Sequence, residues 1–117
     1  MATTYCIYIG ENKLLDILLK DANGEGLDIS ALTFLEAKII QPGVLVERIQ
    51  LFPDVDDDRI SYSGSVLTVE VSKTISRRFK PGIAVYVRLR MNNPDVDFSD
   101  GEEHIDIDEF QVFTVKP

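Results

Sequence analysis

Ser65-Val66-Leu67-Thr68-Val69-Glu70-Val71-Ser72 alternates with a period of two, and Ile83-Ala84-Val85-Tyr86-Val87-Arg88-Leu89-Arg90-Met91 does so again. In the first stretch Leu67, Val69 and Val71 fall on one face, opposite Val66, Thr68, Glu70 and Ser72. In the second, Ile83, Val85, Val87 and Leu89 point inward while Ala84, Tyr86, Arg88 and Arg90 point outward. Successive strand side chains leave opposite faces of a sheet, so each stretch reads as a strand with one dry and one wet side. A sheet dry on one face must bury it against a second layer, and a run of such strands makes that layer another sheet.

The rest of the chain repeats the pattern between turn residues. Thr33 to Gln41 and Val44 to Phe52 flank Pro42-Gly43, the order of a type II turn, and form the clearest hairpin. Thr4 to Ile9, ended by Gly10, is a first strand. Lys13 to Lys20 is a second, with Leu15, Ile17 and Leu19 inward, Asp16 and Lys20 outward, and Leu14 and Leu18 set to face a neighbour. Asp21-Ala22-Asn23-Gly24-Glu25-Gly26 is a turn, and Leu27 to Ser30 a connecting segment. Pro53 to Asp58 is a solvated loop, because its four carboxylates repel one another and resist burial. Between the two alternating stretches, Lys73 to Gly82 has room for one short helical turn near residues 74–79, with Thr74 as N-cap and Pro81-Gly82 as the stop. Asn92 to His104 is a polar loop, and Ile105 to Val115 a last strand. Ile105 and Ile107 differ in parity from Phe110 and Val112, so a β-bulge near Asp108-Glu109 is needed to keep all four on the core side.

Composition narrows the function classes. The 117 residues fit one domain, residues 1–117, and 44% hydrophobic content fits neither a disordered chain nor a membrane span. The first residues lack the basic and then apolar order of a secretory signal, so the chain is expected to be made in a cytosol. Cys6 has no partner for a disulfide and reads as a small buried hydrophobe, and with a single His104 it cannot build a structural zinc site. A net charge of −8 disfavours nucleic acid, which needs clustered Lys and Arg. The charge is unevenly spread. Asp54 to Asp58 hold four acids and Asp95 to Glu109 eight, whereas Lys73, Arg77, Arg78, Lys80, Arg88 and Arg90 lie in a stretch without acids.

No catalytic pattern accompanies these charges. Asp95-Val96-Asp97-Phe98-Ser99-Asp100-Gly101 begins like a calcium loop, but Gly101 falls one position late, Asp106 stands where a Glu should close it, and helices do not flank it. It reads as a solvated loop, with a weak cation site of other geometry as the alternative. The chain has no Trp to hold a sugar beside paired carboxylates, and no nucleophile-elbow, zinc-protease or phosphate-loop motif accompanies His104. A non-enzymatic chain without cofactor, metal or catalytic residue is therefore expected. Arg88 and Arg90 either pair with acids on an adjacent strand or, with Arg77 and Arg78, offer a protein contact surface, since a guanidinium presents a planar fork to carboxylates.

Read together, Lys20-Asp21-Ala22-Asn23-Gly24-Glu25-Gly26-Leu27-Asp28-Ile29, the Thr33 to Gln41 strand, Leu67 to Ser72, and Phe79-Lys80-Pro81-Gly82 before a long alternating strand carry a resemblance. The chain resembles the immunoglobulin-like domains of bacteriophage structural proteins, of the kind found at the N-terminus of baseplate upper proteins, over about residues 5 to 115. The expected fold is thus an all-β, immunoglobulin-like antiparallel sandwich of about seven or eight strands. What the resemblance implies is a virion protein, made in the host bacterial cytoplasm, that docks to other virion proteins in a multi-copy or homo-oligomeric assembly. An adaptor, capsid-decoration or connector role follows, without nucleic acid or membrane as partner. The alternative is a bacterial cell-surface sandwich that binds carbohydrate or a cation through Asp95 to Asp108, against which the absence of a signal counts.

Overall fold

The Pro42-Gly43 hairpin sets the larger sheet. Gly43 takes φ +78°, which the turn demands and a side chain resists, and it joins β3 (Phe34–Gln41) to β4 (Val44–Phe52). The structure is a computed structural model that describes residues 5–21, 23–52 and 59–117. Thr4, Ala22 and the acidic run 53–58, which the sequence places in a strand, a turn and a solvated loop, lie outside the described residues.

β7 (Val85–Pro94) pairs antiparallel with β3 on one side and β8 (Glu102–Lys116) on the other, and β1 (Tyr5–Tyr8) runs parallel to the end of β8. The order is β1-β8-β7-β3-β4. The second sheet is β2 (Lys13–Leu18), β6 (Val66–Val71) and β5 (Ile60–Ser63), in the order β2-β6-β5. This is the immunoglobulin-like sandwich: β2, β6 and β5 stand as strands B, E and D, β3, β7 and β8 as C, F and G, with β4 added beside C and β1 beside G. Leu15, Leu67, Val69 and Val71 of the small sheet meet Leu35, Ala37, Val85, Val87 and Leu89 of the large one in a single buried cluster.

Several local details differ from the sequence reading. Ile83 does not point inward. It is 38% exposed and precedes β7, because the Lys80–Ile83 turn is held outside the ladder by Gln41 and by Gly82 N–H donating to the Val115 carbonyl. Met91 is buried in its place at the other end of the strand. The helical turn is α1 (Lys73–Ser76), and its N-cap is Ser72, whose Oγ accepts from Ile75 N–H, in place of Thr74. Ser72 leaves β6 with extended backbone, as an N-cap requires, and this phase buries Ile75. The turn ends at Arg77, before Pro81-Gly82. Cys6 is half-buried, with Ile7 of the same strand filling the core.

Asn92 to Pro94 continue β7, and Glu102 to His104 open β8, so the polar loop shrinks to 95–101. The expected bulge is present: Val87 faces Phe110 and Leu89 faces Ile107, leaving Asp108 and Glu109 opposite Arg88. A second irregularity sets Val85 opposite Phe113 and Tyr86 opposite Gln111, so both Val112 and Phe113 are buried. Leu19 to Ser30 leave the ladder through a Lys20–Gly26 bridge and a 3₁₀ turn at Ile29–Ala31, capped by Asp28, whose carboxylate accepts from Ser30 N–H.

Candidate contact surfaces

The outer face of the large sheet is a lattice of charges built by strand register. Glu36 and Lys38 on β3 stand opposite Arg90 and Arg88 on β7, and Arg90 stands opposite Asp106 on β8. Direct cross-strand partners lie about 4.5–5.5 Å apart at Cβ, within reach of long side chains. The ion pairs nonetheless do not follow the direct register. Glu36, buried at 5% exposure, is held by Arg48 Nε of β4 and lies 3.7 Å from Lys38 Nζ. Asp106 is taken by Arg88, with Nη2 2.8 Å from Oδ2 and Nε 3.3 Å from Oδ1. This forked contact holds the Asp106 carboxyl below the ordinary carboxylate range and strengthens the hold of Arg88 on its proton.

Arg90 is thereby left over. Both carboxylates beside it in the ladder are engaged by other cations, and the exposed guanidinium of Arg90 makes no ion pair among the described residues. It borders an open depression with Phe34, Asn92, His104 and Asp106. The two outcomes weighed for these arginines therefore divide: Arg88 pairs with the adjacent strand, and Arg90 stays available.

Arg77 and Arg78 are not part of this patch. They follow α1, where Arg78 Nη2 lies 3.3 Å from Glu47 Oε2, an oxygen shared with Arg59 at 3.2 Å. Arg77 is exposed near Gly10. The basic stretch of the sequence is thus divided between the outer face of the large sheet and one end of the molecule.

Two of the three carboxylates of the 95–101 loop, Asp95 and Asp100, are engaged by the loop and by the start of β8. Asp95 Oδ1 accepts from Asp97 N–H at 2.9 Å, and Asp100 Oδ1 accepts from Glu102 N–H at 3.1 Å. Asp100 Oδ2 lies 2.8 Å from His104 Nε2, whose other ring nitrogen is 2.7 Å from Asn92 Oδ1. The His104 contact is the main reason the Asp100 carboxyl is held below its ordinary range. His104 ties the loop to its strand, and among the described residues no three His, Cys, Asp or Glu side chains gather as metal ligands would.

Exposed apolar residues complete the surface. Leu14 and Leu18 stand 67% and 57% exposed on β2, an edge strand of the small sheet. Val96 and Phe98 occupy the hairpin loop, and Val44, Leu45 and Ile83 the opposite end. The sequence reading missed Val96 and Phe98, although two apolar residues in so acidic a loop were the available signal. Comparison of the chain with protein-family models, with curated proteins and with solved structures finds no match.

Proposed function

We propose that the chain is a non-enzymatic structural module of a bacteriophage virion, an adaptor, decoration or connector element that works in many copies by protein contacts. The observation that supports this is Arg90: a guanidinium without an ion pair among the described residues, on the middle strand of a face whose other charges are largely paired, beside the open Phe34–His104 depression. A charge left unsatisfied within its own domain is available to a carboxylate of a neighbour, where a planar fork gives both affinity and orientation. The resemblance of the sequence to immunoglobulin-like domains of phage structural proteins supplies the class of neighbour.

The test is the Arg88→Glu/Arg90→Glu double variant. Both side chains sit on the outer face, so circular dichroism should stay close to wild type, with some loss of Tm because Arg88 no longer holds Asp106. Arg90→Glu alone, which leaves that pair intact, separates the two effects. Incorporation into particles, scored by sedimentation, should fall sharply. The wild-type contact should also weaken in 1 M salt, where screening acts over about 3 Å. Normal incorporation of the double variant would remove this surface from the assembly.

A further inference from the structure

The β7–β8 hairpin ends in a loop that is ordered from within. Asp95 N–H donates to the Gly101 carbonyl at 2.8 Å, Gly101 N–H to Phe98 at 2.9 Å, and Phe98 N–H to Asp95 at 3.2 Å. A loop whose backbone groups are satisfied internally holds its shape before any partner arrives, which lowers the entropy cost of docking. Its side chains are nonetheless arranged against folding in isolation. Val96 is 97% exposed and Phe98 47%, so nearly all of the valine and much of the phenylalanine gain nothing from the fold. Five acids and no Lys or Arg occupy positions 95–103 around them.

The opposite end of the molecule is the complement. β8 is fifteen residues long and, at a rise of about 3.3 Å per residue, spans close to the 48 Å long dimension of the molecule. Its first residues adjoin the acidic tip. Its last line an open depression with Ile83, Ala84, Val115 and Lys116. Leu45 at 54% and Val44 at 42% exposure mark the same end, beside the Pro42-Gly43 turn. The segment 73–82 that crosses this pole carries four cations and no acid. Among the described residues Arg77, Lys80 and Lys116 are exposed and make no ion pair.

We propose that the chain binds a second copy of itself head to tail, the Val96/Phe98 tip of one copy seating in the Ile83–Val115 depression of the next, with Asp97 and Glu103 facing Lys80 and Lys116. This deepens the protein-contact reading above but uses none of its arginines. A second copy is the occupant because the charge and apolar complement of each pole is present on the same chain. Such a contact is heterologous and leaves one free pole at each end, so it propagates into rows or closes into rings rather than stopping at two.

Sedimentation velocity of the purified chain at low salt tests it. A concentration-dependent series beyond the dimer is expected for wild type. Val96→Ser/Phe98→Ser and Lys80→Glu/Lys116→Glu change only exposed side chains, and each should weaken association by about tenfold or more. Mixed together, the two variants retain one intact pair of poles and should form a 1:1 complex that grows no further. Asp97→Lys/Glu103→Lys combined with Lys80→Glu/Lys116→Glu in one chain should restore the series. A wild type that is monomeric at all concentrations, a dimer that stops at two, or a series indifferent to the tip variant overturns the proposal. A monomeric wild type that still enters particles through Arg90 overturns the head-to-tail contact alone.

Discussion

Gln41 is the side chain whose removal should report most clearly on how the Pro42-Gly43 end of the sandwich is held. It closes β3 at 2% exposure, and its amide is fully used: Nε2 donates to the carbonyls of Lys80 and Ile83, each at 3.0 Å, and Oε1 accepts from Lys80 N–H at 2.8 Å. Gln41→Leu keeps the volume and removes a partner from three backbone groups, of which the Lys80 carbonyl keeps the Ile83 N–H at 3.4 Å. A stranded buried group costs about 1–3 kcal/mol, and the low end applies here because Lys80 and Ile83 lie within reach of water. The loss is then about 3 kcal/mol, offset by about 1 kcal/mol from burying leucine, for a net near 2 kcal/mol. With an unfolding entropy of about 2.1 cal/mol/K per residue, that lowers Tm by roughly 8 °C. Thermal unfolding followed by circular dichroism measures it. Gln41→Glu keeps the acceptor but sets a carboxylate against two carbonyl oxygens, so it should be at least as damaging at neutral pH and recover partly toward the glutamate pKa of about 4.3. A Gln41→Leu protein melting within 2 °C of wild type, on the order of 0.5 kcal/mol, would show that water replaces the clamp.

Val87, 1% exposed, tests the core: Val87→Asp buries an unpaired carboxylate at a cost of several kcal/mol against a total of about 5–15, and a cooperative native melt from that variant would refute the strand parity. Asp106 and Asp100 both have folded pKa values below the ordinary range, through Arg88 and His104. The unfolded chain therefore binds more protons near pH 4, and their contribution is complete above the unfolded pKa of about 3.9 and lost as pH falls through the folded values. Tm should stay level from neutral pH to about pH 5 and drop below pH 4, less steeply in Asp106→Asn, and an unchanged acid limb in that variant would remove the pair from the account. A chelator should leave Tm unchanged, since an ion held only by the folded chain would raise stability. A drop of several degrees would favour a cation site in the 95–101 loop.

Much of this fold is legible along the chain because strands write their burial into every second residue. Leu67, Val69 and Val71, and Val85, Val87 and Leu89, are buried as their alternation requires. Even the Asp108-Glu109 bulge is readable, because Ile107 and Phe110 can share the core only if one residue is added between them. What is not legible depends on contacts between distant segments. Ile83 continues the alternation of Val85 and Val87, yet Gln41, forty-two residues away, holds its carbonyl outside the ladder. Ser72 and Thr74 are equivalent as caps in sequence. Only the phase that buries Ile75 under the sandwich selects Ser72.

The candidate surface was less legible than the fold for a related reason. Alternation places Arg88 and Arg90 on one face, and leaves open whether they pair with acids on the next strand or face a neighbour. The register does offer Arg90 the better position, directly opposite Asp106 and flanked on its other side by Glu36. The bulge changes the outcome. Arg88 faces the two residues Asp108 and Glu109, whose doubled spacing breaks the direct cross-strand pair, and its guanidinium reaches diagonally to Asp106. Glu36 is drawn the other way, toward Arg48 on β4. One added residue in β8 and one cation in β4 thus leave Arg90 without an ion pair among the described residues. The charge available for a neighbour is set by register defects, which a count of acids and bases along the chain does not reveal.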